Sequence, residues 1–288
     1  MIAIALSALL AAQAAPSVTA LQPTVEGRLS TGVMIDGRGP WPFIVDTGAS
    51  HTAIAEPLAV EFGFVPTGDL TEVQTLTDRV QSERLTLGRV EAAGAVSETI
   101  NAVVVAAPTD LDLAIFGLLG NDMFEGRTIA LDTARAELRL DVAAPRFADA
   151  QMHPERNVPV TRVELRRAGE PVYALIDTGS ARTIINRRLE RRIRPPAGVV
   201  RYLVESATKI AREEEEARLA RLDELRIGGL CPRSLAVIAA DVDVFRAMGW
   251  SGEPAILLGL DALEGAVLTI DHATGVVEIS PADGERCG

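Results

Sequence analysis

The chain has 288 residues, enough for two compact units of about 130 residues that each bury a core. Its composition, with 48% hydrophobic and 24% charged residues, is typical of a globular protein and excludes a disordered or membrane-spanning chain. The formal charge of -12 repels nucleic-acid phosphates and anionic lipid surfaces, so we expect no nucleic-acid partner and no stable membrane insertion.

Residues 1–14 resemble a signal peptide. The run from Met1 to Leu10 is apolar, and Ala12-Gln13-Ala14 is a small-x-small site where a signal peptidase would cut before Ala15. No Lys or Arg precedes the apolar run, so a short buried helix is the alternative interpretation. We expect an exported protein, either periplasmic or secreted in a bacterium.

The remaining chain contains one pattern twice. Phe43-Ile44-Val45 leads into Asp46-Thr47-Gly48, and Ala174-Leu175-Ile176 leads into Asp177-Thr178-Gly179. Further on, Leu118-Leu119-Gly120-Asn121-Asp122 corresponds to Leu257-Leu258-Gly259-Leu260-Asp261. Because a repeat fixes the architecture, we predict two tandem lobes, 15–153 and 154–288, joined near Pro154 by a linker that contains prolines.

Each copy consists of short apolar runs punctuated by Gly, Pro, Asn and Asp, which predicts an all-β fold. Residues 102–105 and 235–238 are predicted buried strands at equivalent places in the two copies. Helix is expected where Asp122 and Asp261 would cap a turn after the glycine, and over residues 211–225, whose composition is helical.

Paired Asp-Thr-Gly turns favour acid–base chemistry. Two such turns related by a pseudo-twofold axis bring the carboxyl groups of Asp46 and Asp177 face to face, where two negative charges repel and the pair shares one proton. One carboxylate can then deprotonate a water that attacks a peptide carbonyl, while the other protonates the carbonyl oxygen. Asp46 and Asp177 are therefore the predicted catalytic residues.

The neighbouring residues are predicted to support this pair. Thr47 and Thr178 would donate hydroxyl hydrogen bonds across the interface, and Gly48 and Gly179 would supply backbone N–H groups to the carboxylates. Ser180 would add a hydroxyl beside Asp177, whereas Ala49, its counterpart beside Asp46, has none, so the two sides of the pair differ chemically.

Neither a metal site nor a cofactor site is expected. The three histidines, His51, His153 and His272, are scattered singly in the sequence. The two cysteines, Cys231 and Cys287, fit no metal-ligand spacing; an oxidising compartment would permit them to pair, and the sequence leaves that open.

The paired Asp-Thr-Gly motifs and paired Leu-Leu-Gly strands resemble those of the retropepsin-like aspartic proteases, in the bacterial form that carries two such domains in one chain. The resemblance implies two β-barrel lobes with a cleft between them, a peptide substrate bound as an extended strand, and a monomer with pseudo-twofold symmetry. It also implies endopeptidase activity on exported or periplasmic proteins.

The resemblance further implies hairpin flaps that close over the cleft. Residues 70–87 fit such a hairpin, whereas the corresponding residues 205–227 are rich in glutamate. We expect the second segment to be partly helical, which would leave one working flap. Two alternatives to catalysis stay open, namely a peptide-binding or assembly module that retains the fold and a purely structural β scaffold.

Overall fold

The computed structural model describes residues 17–65, 68, 70–105, 115–165, 168–193 and 217–287. Within these ranges most of the regular structure is β-strand, so the predicted all-β fold class is confirmed. The predicted signal peptide lies outside the described residues. None of the helices in the described ranges has the length and apolar composition that crossing a bilayer requires.

The described part of the first half contains thirteen strands and one short α-helix. The strands are β1 (Ser17–Ala20), β2 (Gln22–Pro23), β3 (Leu29–Ile35), β4 (Arg38–Val45), β5 (Ala53–Ala55), β6 (Leu70–Gln74), β7 (Arg79–Leu87), β8 (Val90–Ala92), β9 (Ala95–Ser97), β10 (Ile100–Val105), β11 (Gly117–Leu119), β12 (Thr128–Asp132) and β13 (Glu137–Leu140). The helix is α1 (Glu56–Glu61), and a 3-10 helix (Asn121–Phe124) follows β11.

The described part of the second half contains ten strands and two short helices. The strands are β14 (Ala150–Met152), β15 (Pro159–Leu165), β16 (Val172–Ile176), β17 (Ile184–Ile185), β18 (Arg218–Asp223), β19 (Leu225–Arg226), β20 (Ser234–Ala239), β21 (Ala255–Leu258), β22 (Ala266–Asp271) and β23 (Val276–Pro281). The helices are α2 (Arg187–Ile193) and α3 (Asp243–Ala247).

The two halves repeat one strand arrangement. In the first, β11 runs parallel to β4 and antiparallel to β5, and β5 runs parallel to β10. In the second, β21 runs parallel to β16 and antiparallel to β17, and β17 runs parallel to β20. The sequence repeat is therefore a repeat of topology, and the predicted buried strands at 102–105 and 235–238 fall within the equivalent strands β10 and β20.

One sheet joins the halves. β12 of the first half pairs antiparallel with β22 of the second, with Ala130 opposite Thr269 at the centre of the pairing. The backbone hydrogen bonds of this pairing hold the lobes together. Apolar side chains from both halves form a shared core cluster. The division into lobes at Pro154 stays a prediction.

The prediction of helix over residues 211–225 was wrong for its described part. Residues 218–223 form β18, which pairs antiparallel with β20. The reason is the pattern of burial, because Ala220 and Leu222 are buried while Arg221 and Asp223 are exposed. This alternation has the period of two that is typical of a strand, and it outweighs helical composition. Residues 211–216 lie outside the described residues.

The cysteines that the sequence left open form a disulfide. Cys231 and Cys287 are bonded, with their Cα atoms 6.0 Å apart. The bond ties the end of the chain to the loop before β20, and the N–H of Cys287 also donates to the carbonyl of Gly229 at 3.0 Å.

Candidate active site

Each Asp-Thr-Gly turn begins where a central strand ends. Asp46 follows β4 and Asp177 follows β16. The backbone N–H of Asp46 donates to the carbonyl of Leu119 at 3.0 Å, and that of Asp177 donates to Leu258 at 3.0 Å. The Leu-Leu-Gly strands β11 and β21 thus anchor both aspartates in the same way, which explains why the two motifs occur together in each repeat.

The structure brings the two predicted carboxyl groups together. Asp46 and Asp177 are half-buried, each carboxyl group lies against the motif glycine of the opposite lobe, and each is close enough to the other to affect its pKa. Two negative charges this close together repel, so a single proton on the pair stabilises it. The arrangement is therefore that of two acids sharing a proton.

Gly48 and Gly179 make this contact possible. A Cβ atom at Gly48 would lie 2.6 Å from the carboxyl carbon of Asp177, and one at Gly179 would lie 2.3 Å from that of Asp46. Both distances are far below a van der Waals contact between carbon atoms. Each glycine thus gives room to the carboxyl group of the opposite lobe, which a side chain at either position would displace.

The threonines connect the lobes beneath the aspartates. The hydroxyl of Thr47 donates to the carbonyl of Ile176 at 2.9 Å, and the hydroxyl of Thr178 donates to Val45 at 2.7 Å. Each hydroxyl also accepts the backbone N–H of the other threonine, at 3.0 and 3.1 Å. These four bonds include the hydroxyl bonds expected from the sequence, and they fix the separation of the two turns.

The carboxyl groups differ in their surroundings. Burial raises the pKa of both, and the negative charge of Asp46 adds to this effect, so that the pKa of Asp177 rises well above its usual range. Backbone N–H groups oppose the effect of burial on both pKa values: those of Gly48 and Ala49 donate to Asp46 at 2.8 and 3.1 Å, and those of Gly179 and Ser180 act on Asp177 in the same way. The pKa of Asp46 is lowered further by the Asp177 carboxyl group and by the positive charge of Arg28. The charge of Arg28 therefore favours the ionised form on the Asp46 side of the pair.

The acids that follow the Leu-Leu-Gly strands brace the turns and do not cap helices. Thr52 donates both its N–H and its hydroxyl to Asp122, each at 2.8 Å, and the hydroxyl of Thr183 donates to Asp261 at 2.6 Å. The predicted capping role was wrong because these threonines engage the carboxylates. In the first half, the N-cap of the 3-10 helix is Gly120.

The predicted role of the Ser180 hydroxyl is not found. That hydroxyl donates to the carbonyl of Arg182 at 2.8 Å, and Ser180 contacts Asp177 through its backbone N–H at 3.1 Å. Because Ala49 donates its N–H to Asp46 in the same way, Ser180 and Ala49 serve their carboxylates alike. Its bond to Arg182 makes the serine hydroxyl part of the turn.

A cleft of about 950 Å³ opens above the pair. Its lining includes both aspartates and both glycines of the motifs, together with His51 and Arg182, which follow the two turns. Both lobes contribute apolar side chains to the walls, among them Val103 and Val105 from the first and Ile184 and Ile238 from the second, alongside polar and charged ones. The dimensions suit a segment of peptide in contact with both lobes.

The predicted hairpin at residues 70–87 covers the cleft. β6 and β7 pair antiparallel, with Gln74 opposite Arg79 beside the tip. The tip reaches the second lobe, where Leu76 packs against its apolar cluster and the Leu76 carbonyl accepts the N–H of Val244 at 3.1 Å. The side chain of Gln74 also donates to Asp243 of α3 at 3.1 Å. A flap thus spans from one lobe to the other.

The counterpart at residues 205–227 is described from 217 onwards. That described part forms β18 and β19 and contains no helix. The prediction of partial helix stays open for residues 205–216, which lie outside the described residues. β18 pairs with β20 as β7 pairs with β10, so it holds the position of the outgoing flap strand. A single working flap stays a prediction.

Sequence reasoning missed Asn121. Its side-chain amide donates to the carbonyls of Thr47 at 2.8 Å, Ala49 at 3.1 Å and Asn157 at 2.8 Å, and the residue is almost fully buried. It therefore ties the first active-site turn to the connection between the lobes. The signal was present in the aligned repeats, where Leu260 stands opposite Asn121.

Comparison with known families agrees with this geometry. A family model described as aspartyl protease matches residues 31–123 and again residues 163–262, together about two thirds of the chain. The chain belongs to the aspartyl protease family. The two matches contain the two Asp-Thr-Gly turns, which makes this a retropepsin-like aspartyl protease with two tandem domains. A search of curated proteins found no match.

Proposed function

We propose that the chain is an aspartic endopeptidase that hydrolyses peptide bonds with a water activated between Asp46 and Asp177. The observation that carries the proposal is the close approach of the two carboxyl groups, each against the motif glycine of the opposite lobe, in the lining of a cleft large enough for a peptide. A member of the family that only binds peptides would not need this contact. A structural scaffold would not require it either, since two buried acids in contact destabilise a fold that makes no use of them.

In the proposed reaction the ionised carboxylate takes a proton from water as the oxygen attacks the scissile carbonyl. The protonated carboxyl group donates its proton to the carbonyl oxygen, which gives a tetrahedral intermediate with no covalent bond to the protein. The carboxyl group that took the proton from water then passes it to the leaving nitrogen, and the C–N bond breaks as a hydroxyl of the intermediate returns its proton to the other carboxylate. A carboxylic acid and an amine are released, and the pair again holds one proton. The threonine bonds between the lobes keep one acid within reach of the water and the other within reach of the carbonyl oxygen.

The substrate is proposed to bind as an extended strand beneath the β6–β7 flap. β6 lies at the end of its sheet, and Thr71 and Val73 of this strand line the cleft. An edge strand offers backbone groups to which an extended peptide can add. This mode fits a cleft whose walls come from both lobes.

We also propose that the protein acts on exported or periplasmic proteins. The disulfide between Cys231 and Cys287 supports this location, because such bonds persist in oxidising compartments. Expression of the full chain in a bacterium, followed by fractionation and sequencing of the mature N-terminus, tests it. A mature protein that begins at Ala15 in the periplasm or medium is expected, and an uncleaved cytoplasmic protein would contradict the proposal.

The activity is tested with a diverse peptide library and mass spectrometry of the products. The wild-type protein should cleave a subset of peptides, and Asp46→Asn and Asp177→Asn should each reduce the rate by about a thousandfold or more, because each removes one half of the acid–base pair. Thermal unfolding verifies that the variants fold. Equal cleavage by a folded Asn variant, or binding of peptides by the wild type without any cleavage, would contradict the proposal and favour a peptide-binding module.

A further inference from the structure

The peptide unit between Thr47 and Gly48 accepts a hydrogen bond on one side and donates one on the other. Its carbonyl oxygen, which belongs to Thr47, accepts the amide of Asn121 at 2.8 Å. Its N–H, which belongs to Gly48, donates to Asp46 Oδ1 at 2.8 Å. Asn121 and Asp46 are therefore linked through a single peptide group.

Hydrogen bonds in such a chain strengthen one another. A donor at the carbonyl oxygen draws electron density from the peptide nitrogen, which makes the N–H a better donor to an anion. Asn121 also donates to the carbonyl of Ala49 at 3.1 Å, which holds the turn that presents the Ala49 N–H to Asp46. Asn121 thus favours the charged form of Asp46 without touching it.

The second half lacks this arrangement. Leu260 occupies the position of Asn121, and its backbone N–H donates to Ser180 at 2.9 Å just as the N–H of Asn121 donates to Ala49 at 3.0 Å. The leucine side chain has no N–H, so position 260 gives the carbonyl of Thr178 no side-chain donor. The backbones match, and the difference lies in one side chain.

Charged side chains of both signs line the cleft around the pair, namely Glu26, Arg28, Glu72, Arg79, Arg84, Glu155, Arg156 and Arg182. Arg28 acts on Asp46 and favours its charged form. His51, which follows the first turn, hydrogen-bonds to Ser50, and Arg182, which follows the second, lies 3.9 Å from Asp261. Arg28 and Asn121 therefore act in the same direction, both on the first aspartate.

We propose that Asn121 is a positioning residue that makes Asp46 the ionised carboxylate of the pair, by polarising the peptide group whose N–H binds Asp46. Asp177 then carries the shared proton. The assignment rests on the proposed function for its catalytic meaning, with Asp46 as the base toward water and Asp177 as the acid toward the carbonyl oxygen. The distribution of the proton itself can be measured without substrate.

The test is a carboxyl carbon NMR titration of the full chain labelled with [4-13C]aspartate, with the resonances of the pair assigned from Asp46→Asn and Asp177→Asn. In the wild type, Asp46 should dominate the lower of the two titration steps. In Asn121→Leu, which copies the second half, the apparent pKa of that step should rise by about half a unit to one unit, the effect expected for one hydrogen bond.

Asn186→Leu is the matched control. Asn186 is equally buried, and its side chain binds the N–H groups of Leu189 and Ala255 and the carbonyl of Glu253, outside both turns. This variant should lose stability as Asn121→Leu does, with an unchanged titration of the pair. An unchanged lower step in Asn121→Leu, or an equal shift in Asn186→Leu, would overturn the proposal.

Leu260→Asn is an independent variant that keeps Asn121 in place. It tests the effect of an amide at this position even if Asn121→Leu does not fold. The new amide is expected to favour the charged form of Asp177 and to lower the upper step of the titration. A folded Leu260→Asn protein with both steps unchanged would count against the role of this position. Because the titration needs no substrate, a protein without peptidase activity would refute the proposed function and leave this measurement intact.

Discussion

Replacing Thr47 by valine should weaken the contact between the lobes and also slow the reaction, so that the free energy of unfolding and kcat fall in the same variant. The substitution keeps the shape of the side chain and removes one hydroxyl group. That hydroxyl donates to the carbonyl of Ile176 at 2.9 Å and accepts the N–H of Thr178 at 3.1 Å. Two backbone groups at the centre of the interface thereby lose their partner in a place that water does not reach.

The size of the effect follows from these two groups. An unsatisfied buried backbone group costs about 1–3 kcal/mol, so the free energy of unfolding should fall by about 3 kcal/mol. The turns should also lose their fixed separation, and a misplacement of catalytic groups by about 1 Å lowers turnover by up to about a hundredfold. Urea unfolding gives the first quantity and kcat for a cleaved peptide gives the second.

Thr133→Val provides the control. Thr133 also connects the halves, since its hydroxyl donates to Leu263 at 2.6 Å and accepts the N–H of Ala266 at 3.0 Å, and it lies away from the cleft. This variant should lose comparable stability and keep its kcat. Full turnover in a folded Thr47→Val protein, or an equal loss of kcat in Thr133→Val, would refute the reasoning.

Three further predictions concern other parts of the fold. Burial lowers the pKa of His272 to about 4, below the ~6.5 of an exposed histidine, so the unfolded chain takes up the proton first and stability falls as the pH drops from 6.5 to 4. In His272→Leu, the loss of unfolding free energy between pH 6.5 and 4 should be smaller by up to about 3 kcal/mol, as measured by urea unfolding at several pH values. If the unfolding free energy falls with pH as steeply as in the wild type, the idea is wrong. Cys287→Ser removes the disulfide between residues 56 apart in sequence, so we expect the free energy of unfolding to fall by about 4 kcal/mol. A reducing agent should have no further effect on this variant, and an unchanged unfolding midpoint would contradict a stabilising disulfide. Leu76→Ala removes the apolar contact of the flap tip with the second lobe and should lower kcat/KM by about tenfold with little change in the unfolding midpoint; a midpoint that falls while kcat/KM stays constant would show that the contact serves stability alone.

The architecture could be predicted from the sequence because the repeated motifs indicate two lobes of the same strand arrangement. Two Asp-Thr-Gly turns after apolar strands, each matched by a Leu-Leu-Gly strand, were sufficient to expect two lobes that meet at the motifs. The hydroxyl bonds of Thr47 and Thr178 followed from the same pairing, since symmetric turns at an interface place each threonine against the other lobe.

The remaining features depend on contacts between segments that are distant in sequence. Ser180 was expected to serve Asp177 through its hydroxyl, but the turn brings the carbonyl of Arg182 closer. Asp122 has the residue type and position of a cap, yet its partner is Thr52, which is 70 residues away. The partners of such side chains follow from the folded backbone, which local propensity does not describe.

The dependence of kcat/KM on pH tests the central claim most directly, using one peptide that the wild-type protein cleaves. If Asp46 and Asp177 share one proton, activity should fall on both sides of an optimum: at low pH because both carboxyl groups are protonated, and at high pH because both are ionised. The raised pKa of Asp177 should place the upper limb well above the usual range of a carboxyl group. A rate that rises with pH and stays constant once both carboxyl groups are ionised would contradict the shared proton.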